Sequence, residues 1–129
     1  MKWLITGGCG FIGRALASEL LTIGGQRVRV LDNFSVGTRA DLESVSAFSE
    51  LPVNTPDRSW AAPLALCEAN ILDYEAVSSA LVGADVVVHL AANTGVGPSV
   101  EDPFADCHAN VIGTLNMLEA CRHVGTKRF

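Results

Sequence analysis

At 129 residues, 49% apolar and with a mean hydropathy of +0.32, the chain has enough nonpolar surface for a single buried core, residues 1–129 forming one domain. Its 14 acidic and 9 basic residues give a net charge of −5 with no basic stripe, which argues against a nucleic-acid partner. No apolar stretch nears the roughly 18 residues of a membrane span, and the four cysteines (Cys9, Cys67, Cys107, Cys121) have neither metal-ligand nor disulfide spacing, so no membrane, no metal and a reduced, cytoplasmic setting are expected.

The first apolar run, Trp3-Leu4-Ile5, reads as a strand and leads into Thr6-Gly7-Gly8-Cys9-Gly10-Phe11-Ile12-Gly13. Glycines 8, 10 and 13 satisfy a G-x-G-x-x-G spacing, and glycines 7, 10 and 13 a wider G-x-x-G-x-x-G. Lacking Cβ atoms, such a turn bends sharply, lets backbone amides approach a pyrophosphate and lets the next helix pack on the strand behind it. Cys9 either fills a tight loop as a small residue or, near a helix start, carries a lowered pKa; the first reading is preferred. Ala15, Leu16, Leu20 and Ile23 have helical spacing, Gly24-Gly25 stops the helix, and Val28-Arg29-Val30-Leu31 makes a second strand ending at Asp32. That acid lies 19 residues beyond Gly13, where a carboxylate can accept hydrogen bonds from an adenosine ribose.

Asn33 to Gly37 is rich in turn formers, and Thr38 to Phe48 suggests a short polar helix. Residues 49–63, with Pro52, Pro56 and Pro63, form an irregular excursion that Trp60 is expected to pack down. A third strand is expected at Leu64 to Glu68, then Asn70-Ile71-Leu72-Asp73 and a helix from Tyr74 to Leu81. Val86-Val87-Val88-His89-Leu90 is a β-branched run suited to a strand buried on both faces of a parallel sheet. His89, inside that apolar run, reads as structural in preference to an acid or base. A loop from Ala91 to Glu101 precedes Asp102-Pro103, a cap and first-turn pair for one long helix reaching about His123, with Val111, Leu115 and Leu118 expected against the sheet. Asn110 on this helix either ties it to the loop at Ala92 or faces solvent, His108 and His123 read as surface residues, and Lys127-Arg128-Phe129 would start another strand.

Alternating strands and helices imply an α/β fold: a Rossmann-like, doubly wound parallel sheet, here truncated after about four strands. The ligand crevice would lie at the strand carboxyl ends, with Gly7 to Gly13 facing Ala91-Ala92 across it.

Four ordered motifs, residues 6–13, Leu31 to Gly37, His89-Leu90-Ala91-Ala92 and Asn110-Val111-Ile112-Gly113-Thr114, resemble the extended short-chain dehydrogenases/reductases, specifically the nucleotide-sugar epimerases and dehydratases. The wording around Val96, Pro98, Ser99 and Pro103 is most similar to the UDP-glucose 4-epimerase group. The resemblance implies NAD as cofactor, with Gly7, Gly10, Phe11, Ile12 and Gly13 at the pyrophosphate and Asp32 on the adenosine ribose with Asn33, Ser35 and Gly37 nearby. It also implies Asn70 and Ile71 about the adenine, Leu90, Ala91 and Ala92 on the nicotinamide half, and Asn93 and Thr94 near the substrate. A carboxylate at position 32 repels the 2′-phosphate of NADP, an effect that Arg14 or Arg39 would soften.

The family's Tyr-x-x-x-Lys pair is not among these residues, whose only tyrosine is Tyr74, so no catalytic residue is assigned. Two expectations follow: the NAD-binding amino-terminal part of a nucleotide-sugar epimerase or dehydratase, inactive alone, or a non-catalytic NAD-sensing or assembly module. In either case an uncovered edge of the 86–90 strand predicts a homo-oligomer.

Overall fold

A computed structural model describes all 129 residues. Five parallel strands, β1 (Lys2–Thr6), β2 (Arg27–Asp32), β3 (Ser49–Glu50), β4 (Leu64–Glu68) and β5 (Val86–His89), form one sheet in the order β3-β4-β2-β1-β5. The chain therefore reverses direction across the sheet at β1, whose carboxyl end lies between those of β2 and β5. Successive strand residues point to opposite faces, and the sequence supplies apolar side chains for both. Ile5, Val28, Val30, Leu64 and Leu66 form one core with Ala17, Leu20 and Leu42; Leu4, Leu31, Cys67 and Val87 form the other with Val77, Leu81, Met117, Ala120 and Cys121. This is a doubly wound α/β architecture, and none of its helices is long and apolar enough to cross a membrane.

Helices α1 (Phe11–Ile23), α2 (Arg39–Glu43) and α3 (Tyr74–Leu81) begin differently. Thr38 and Asp41 close a capping box on α2, and Asp73 accepts from the Glu75 and Ala76 amides at the start of α3. No side chain caps α1, and no acid sits in its first turn.

The 38–48 helix contracts to α2, and the 49–63 excursion contributes the two-residue strand β3, too short to carry an alternation pattern. Within the expected 91–101 loop, Val96–Glu101 forms a short helix, α4. The expected long helix is continuous in course but not in kind: α5 (Pro103–Cys107), a π-helical turn (His108–Ile112) and α6 (Gly113–Val124). The expected stripe of Val111, Leu115 and Leu118 does not pack on the sheet; these residues are 58%, 56% and 45% exposed. Gly113, Met117, Ala120 and Cys121 face inward instead. The reason is close approach: a Cβ on Gly113 would lie 2.5 Å from Ile71 Cδ1, so the helix meets Ile71 on its Gly113 face, and Met117, Ala120 and Cys121 on that face enter the core. At the edge, the Val87 amide donates to Arg128 O (2.9 Å), and Arg128 bridges Val86 in parallel, so residues near the carboxyl end do lie along β5.

Arg29 is the unexpected core residue, 1% exposed on β2. Its guanidinium donates to Ala80 O (2.7 Å) and to the backbone and carboxylate oxygens of Asp57 (3.0 and 3.1 Å), and stacks 4.0 Å from the Trp60 ring centroid. Burial disfavours the guanidinium's charge, and Asp57 offsets part of that cost. Trp60 donates from Nε1 to Val82 O (2.9 Å) and holds a left-handed backbone (φ 48°), so the excursion is clamped against the end of α3. Trp60→Ala is expected to destabilise the fold by about 3–5 kcal/mol, by removing this lid and unstacking Arg29, as measured by urea unfolding followed by far-UV circular dichroism.

Candidate functional site

The turn between β1 and α1 is built by close approach. Gly7 has a left-handed backbone (φ 66°), its amide donates to Leu31 O (2.9 Å), and a Cβ there would stand 2.8 Å from the Ala91 nitrogen. A Cβ on Gly13 would stand 2.5 Å from Gly7 O and from Gly8 Cα. With Gly10 N donating to Gly7 O and Arg14 N to Gly10 O, the amides of Phe11, Ile12 and Gly13 have no acceptor in the chain. Three unsatisfied N–H groups at the positive end of an uncapped 13-residue helix fit an anion.

Asp32 ends β2 beside this turn, 7% exposed. One carboxylate oxygen accepts the Cys9 amide (2.9 Å) and the other the Phe34 amide (2.9 Å), which fixes the group and leaves each oxygen a lone-pair direction for a ligand hydroxyl. Cys9 is fully buried; desolvation first, then the Asp32 charge, push its thiol up to about 12, so the thiol is a packing group and not a nucleophile. Asn33 Oδ1 accepts the Ser35 amide (3.1 Å), and Asn70 Oδ1 the Leu72 amide (2.9 Å), so Asn70 has part of its acceptor capacity committed within its own turn.

All sixteen residues named from the sequence for the cofactor and the substrate line one cavity of about 610 Å³. Gly7, Gly10, Phe11, Ile12 and Gly13 come from the turn, and Asp32, Asn33, Ser35 and Gly37 from the end of β2. Asn70 and Ile71 follow β4, and Leu90, Ala91, Ala92, Asn93 and Thr94 follow β5. Leu31, Val36, Ala69 and Leu72 join as chain neighbours, whereas Ala105 and Ala109 arrive from α5 and the π turn. Their small size at a spacing of four is a faint helical signal in the sequence.

Hydrogen bonds fix the β5 side of the cavity. Thr6 Oγ1 accepts the Leu90 and Ala91 amides (3.2 Å each), so its own proton goes to His89 Nδ1 (2.6 Å). Thr114 gives its hydroxyl proton to Asn110 O (2.7 Å) and so accepts from His89 Nε2 (3.1 Å). His89 is thereby set as the neutral Nε2–H tautomer, joining β1, β5 and α6. Asn110 grips Asn93 in both directions, accepting its amide (2.8 Å) and donating to its carbonyl (3.0 Å). Asp106, unremarkable in the sequence, is a hub: its Oδ1 lies 2.7 Å from Ser99 Oγ, 3.1 Å from Asn110 Nδ2 and 3.2 Å from Asn93 Nδ2. Tyr74 stands apart, its hydroxyl 2.5 Å from Nδ1 of the exposed His123.

A parallel sheet wound on both faces, with a glycine turn at its reversal point and an acid ending the adjacent strand, defines a Rossmann-like nucleotide-binding fold. The chain belongs to the NAD dependent epimerase/dehydratase family, whose model matches residues 3–129. It is 36% identical over 125 residues to a UDP-glucose 4-epimerase of Corynebacterium glutamicum, covering 97% of this chain and 32% of that protein. It is 33% identical over 129 residues to a dTDP-glucose 4,6-dehydratase of Mycobacterium tuberculosis, covering 98% and 34%. The crystal structure of Thermus thermophilus UDP-glucose 4-epimerase in complex with NAD superposes with a TM-score of 0.76 at 34% identity, covering 98% of this chain and 35% of that one. The chain thus spans about a third of the length of the curated relatives it matches.

Burial holds the His89 imidazole below its usual pKa, and protonating Nδ1 would also break the Thr6 bond. The unfolded chain therefore binds this proton first, and the stability His89 contributes above about pH 6.5 is lost as pH falls through its lower folded value. Urea midpoints are expected to drop between pH 7 and pH 5.5, before the carboxylates titrate, and His89→Gln should flatten that limb.

Proposed function

We propose that these residues bind NAD in the 610 Å³ cavity, and that in a longer polypeptide the site belongs to a nucleotide-sugar epimerase or dehydratase. The reading is carried by the pairing of a carboxylate held by two backbone amides at the end of β2 with three acceptor-free amides at the start of α1, both facing one cavity. Asp32 takes the adenosine ribose hydroxyls, with Asn33, Ser35 and Gly37 beside it. The amides of Phe11, Ile12 and Gly13, reached past Gly7 and Gly10, take the pyrophosphate. Asn70 and Ile71 flank the adenine, while Leu90, Ala91, Ala92 and Thr94 receive the nicotinamide half. Bound NAD supplies a hydride acceptor, and the NAD-bound Thermus thermophilus relative supports this assignment.

These 129 residues are proposed to hold the cofactor without turning substrate over, because no Tyr-x-x-x-Lys pair is among them and the lone Tyr74 is bonded to His123 away from the cavity lining. A cytoplasmic setting belongs to the same reading, supported by four free thiols, three of them buried. Self-association is proposed too, through the outward apolar stripe of Val111, Leu115 and Leu118.

Calorimetric titration with NAD and with ADP-ribose is expected to give dissociation constants within about tenfold of each other, because most recognition falls on the adenosine diphosphate half. Failure of both to bind at millimolar concentration overturns the cofactor reading, and formation of UDP-galactose from UDP-glucose by the isolated chain overturns its inactivity. Light scattering is expected to show a dimer or larger species that Leu115→Glu dissociates; a monomer at high concentration excludes self-association.

A further inference from the structure

Two guanidiniums, on the helices that follow β1 and β2, are already engaged by carboxylates. Arg14 Nη1 lies 2.8 Å from Asp41 Oδ1, and the other oxygen of Asp41 is held by the Thr38 hydroxyl and amide (2.7 and 2.9 Å). Arg39 is gripped twice, by Glu50 on β3 and by Glu68 on β4, where Nη2 to Oε2 is 2.6 Å. Its Cζ sits 5.2 Å from the Phe34 ring centroid, and the Phe34 amide is the one bonded to Asp32. Glu68 is the register partner of Asp32 across the β2–β4 pair, so Arg39 is tethered next to the ribose end of the cavity. Four carboxylates (Asp32, Asp41, Glu50, Glu68) stand there against two guanidiniums, a surplus of two negative charges.

We infer that Glu50 and Glu68 are specificity-determining residues, which by holding Arg39 deny a 2′-phosphate a neighbouring cation and make the exclusion of NADP a property of the cluster instead of Asp32 alone. The inference rests on the NAD reading of the cavity. A 2′-phosphate at the Asp32 carboxylate needs a guanidinium to offset both the phosphate charge and the acid. Arg39 is placed for this, stacked on the residue that bonds Asp32, but its fork is filled by two carboxylates. Each ion pair is exposed and individually weak, yet both pairs must yield together and their charges remain within a Debye length of the phosphate. Glu50 and Glu68 are on the surface and outside the cavity lining, so their neutralisation leaves the fold and the NAD contacts in place.

NAD and NADP are titrated calorimetrically into wild type, Asp32→Asn, Glu50→Gln/Glu68→Gln, and the latter pair combined with Arg39→Ala. The Glu pair is expected to tighten NADP about tenfold while changing NAD less than about twofold, with the gain shrinking at higher salt and vanishing when Arg39→Ala is added. Asp32→Asn alone is expected to leave NADP at least about tenfold weaker than NAD. Unchanged NADP affinity in the Glu pair, a gain that survives Arg39→Ala, or equal NAD and NADP affinity in Asp32→Asn each overturns the inference while NAD binding stands. A wild-type chain that binds no NAD overturns the cofactor reading and this inference together.

Discussion

Contact without Cβ atoms where β1 turns into α1 is the constraint on which the rest of the structure depends. Gly7 lies against the Ala91 backbone and Gly13 against Gly7 and Gly8, so the start of α1 is pressed onto the ends of β1 and β5 with no side chain between them. Any larger residue would push the helix away, and the amides of Phe11, Ile12 and Gly13 would leave the cavity floor. Asp32 depends on the same contact, because the Cys9 amide that fixes one of its oxygens belongs to this turn. One packing condition thus sets the anion-binding end of the helix and the ribose-facing acid together.

The far wall of the cavity is secured by polar bonds instead of close packing. Thr6, His89 and Thr114 form a chain whose proton directions follow from the two amides Thr6 already accepts. Next to it, the π turn inserts an extra residue between α5 and α6, and this reconciles two demands on one helix. Asn110 faces Asn93 in the loop after β5, while Gly113 fits against Ile71. Asp106 gathers Asn93, Ser99 and Asn110 onto one oxygen, which joins the loop, α4 and α5 into a single unit at the cavity edge.

Strand runs and the glycine turn were legible because their signals are local: β-branched residues for β5, glycine spacing for the turn, and an acid at a chain distance that one βαβ unit dictates. For the same reason the sixteen cavity residues named from sequence lie next to recognisable strand ends. Asp106 was not legible, since a single aspartate between apolar residues has no pattern, and its three partners are brought to it only by the fold. Arg29 was read as one strand residue among others; its burial under Trp60 needed the 49–63 excursion to fold back over the sheet.

By itself the sequence determined the fold class, the family, the glycine turn and the acid that ends the next strand, all of which follow from neighbours along the chain and from the periods of strand and helix. Tertiary structure alone decided which face of the π turn and α6 points inward, where helix gives way to a π turn, and which carboxylates hold Arg14 and Arg39. Periodicity can show that a helix has apolar stripes, but choosing between them depends on the shape of the surface that receives it. Here that surface seats Ile71 against Gly113, which turns the face carrying Met117, Ala120 and Cys121 inward.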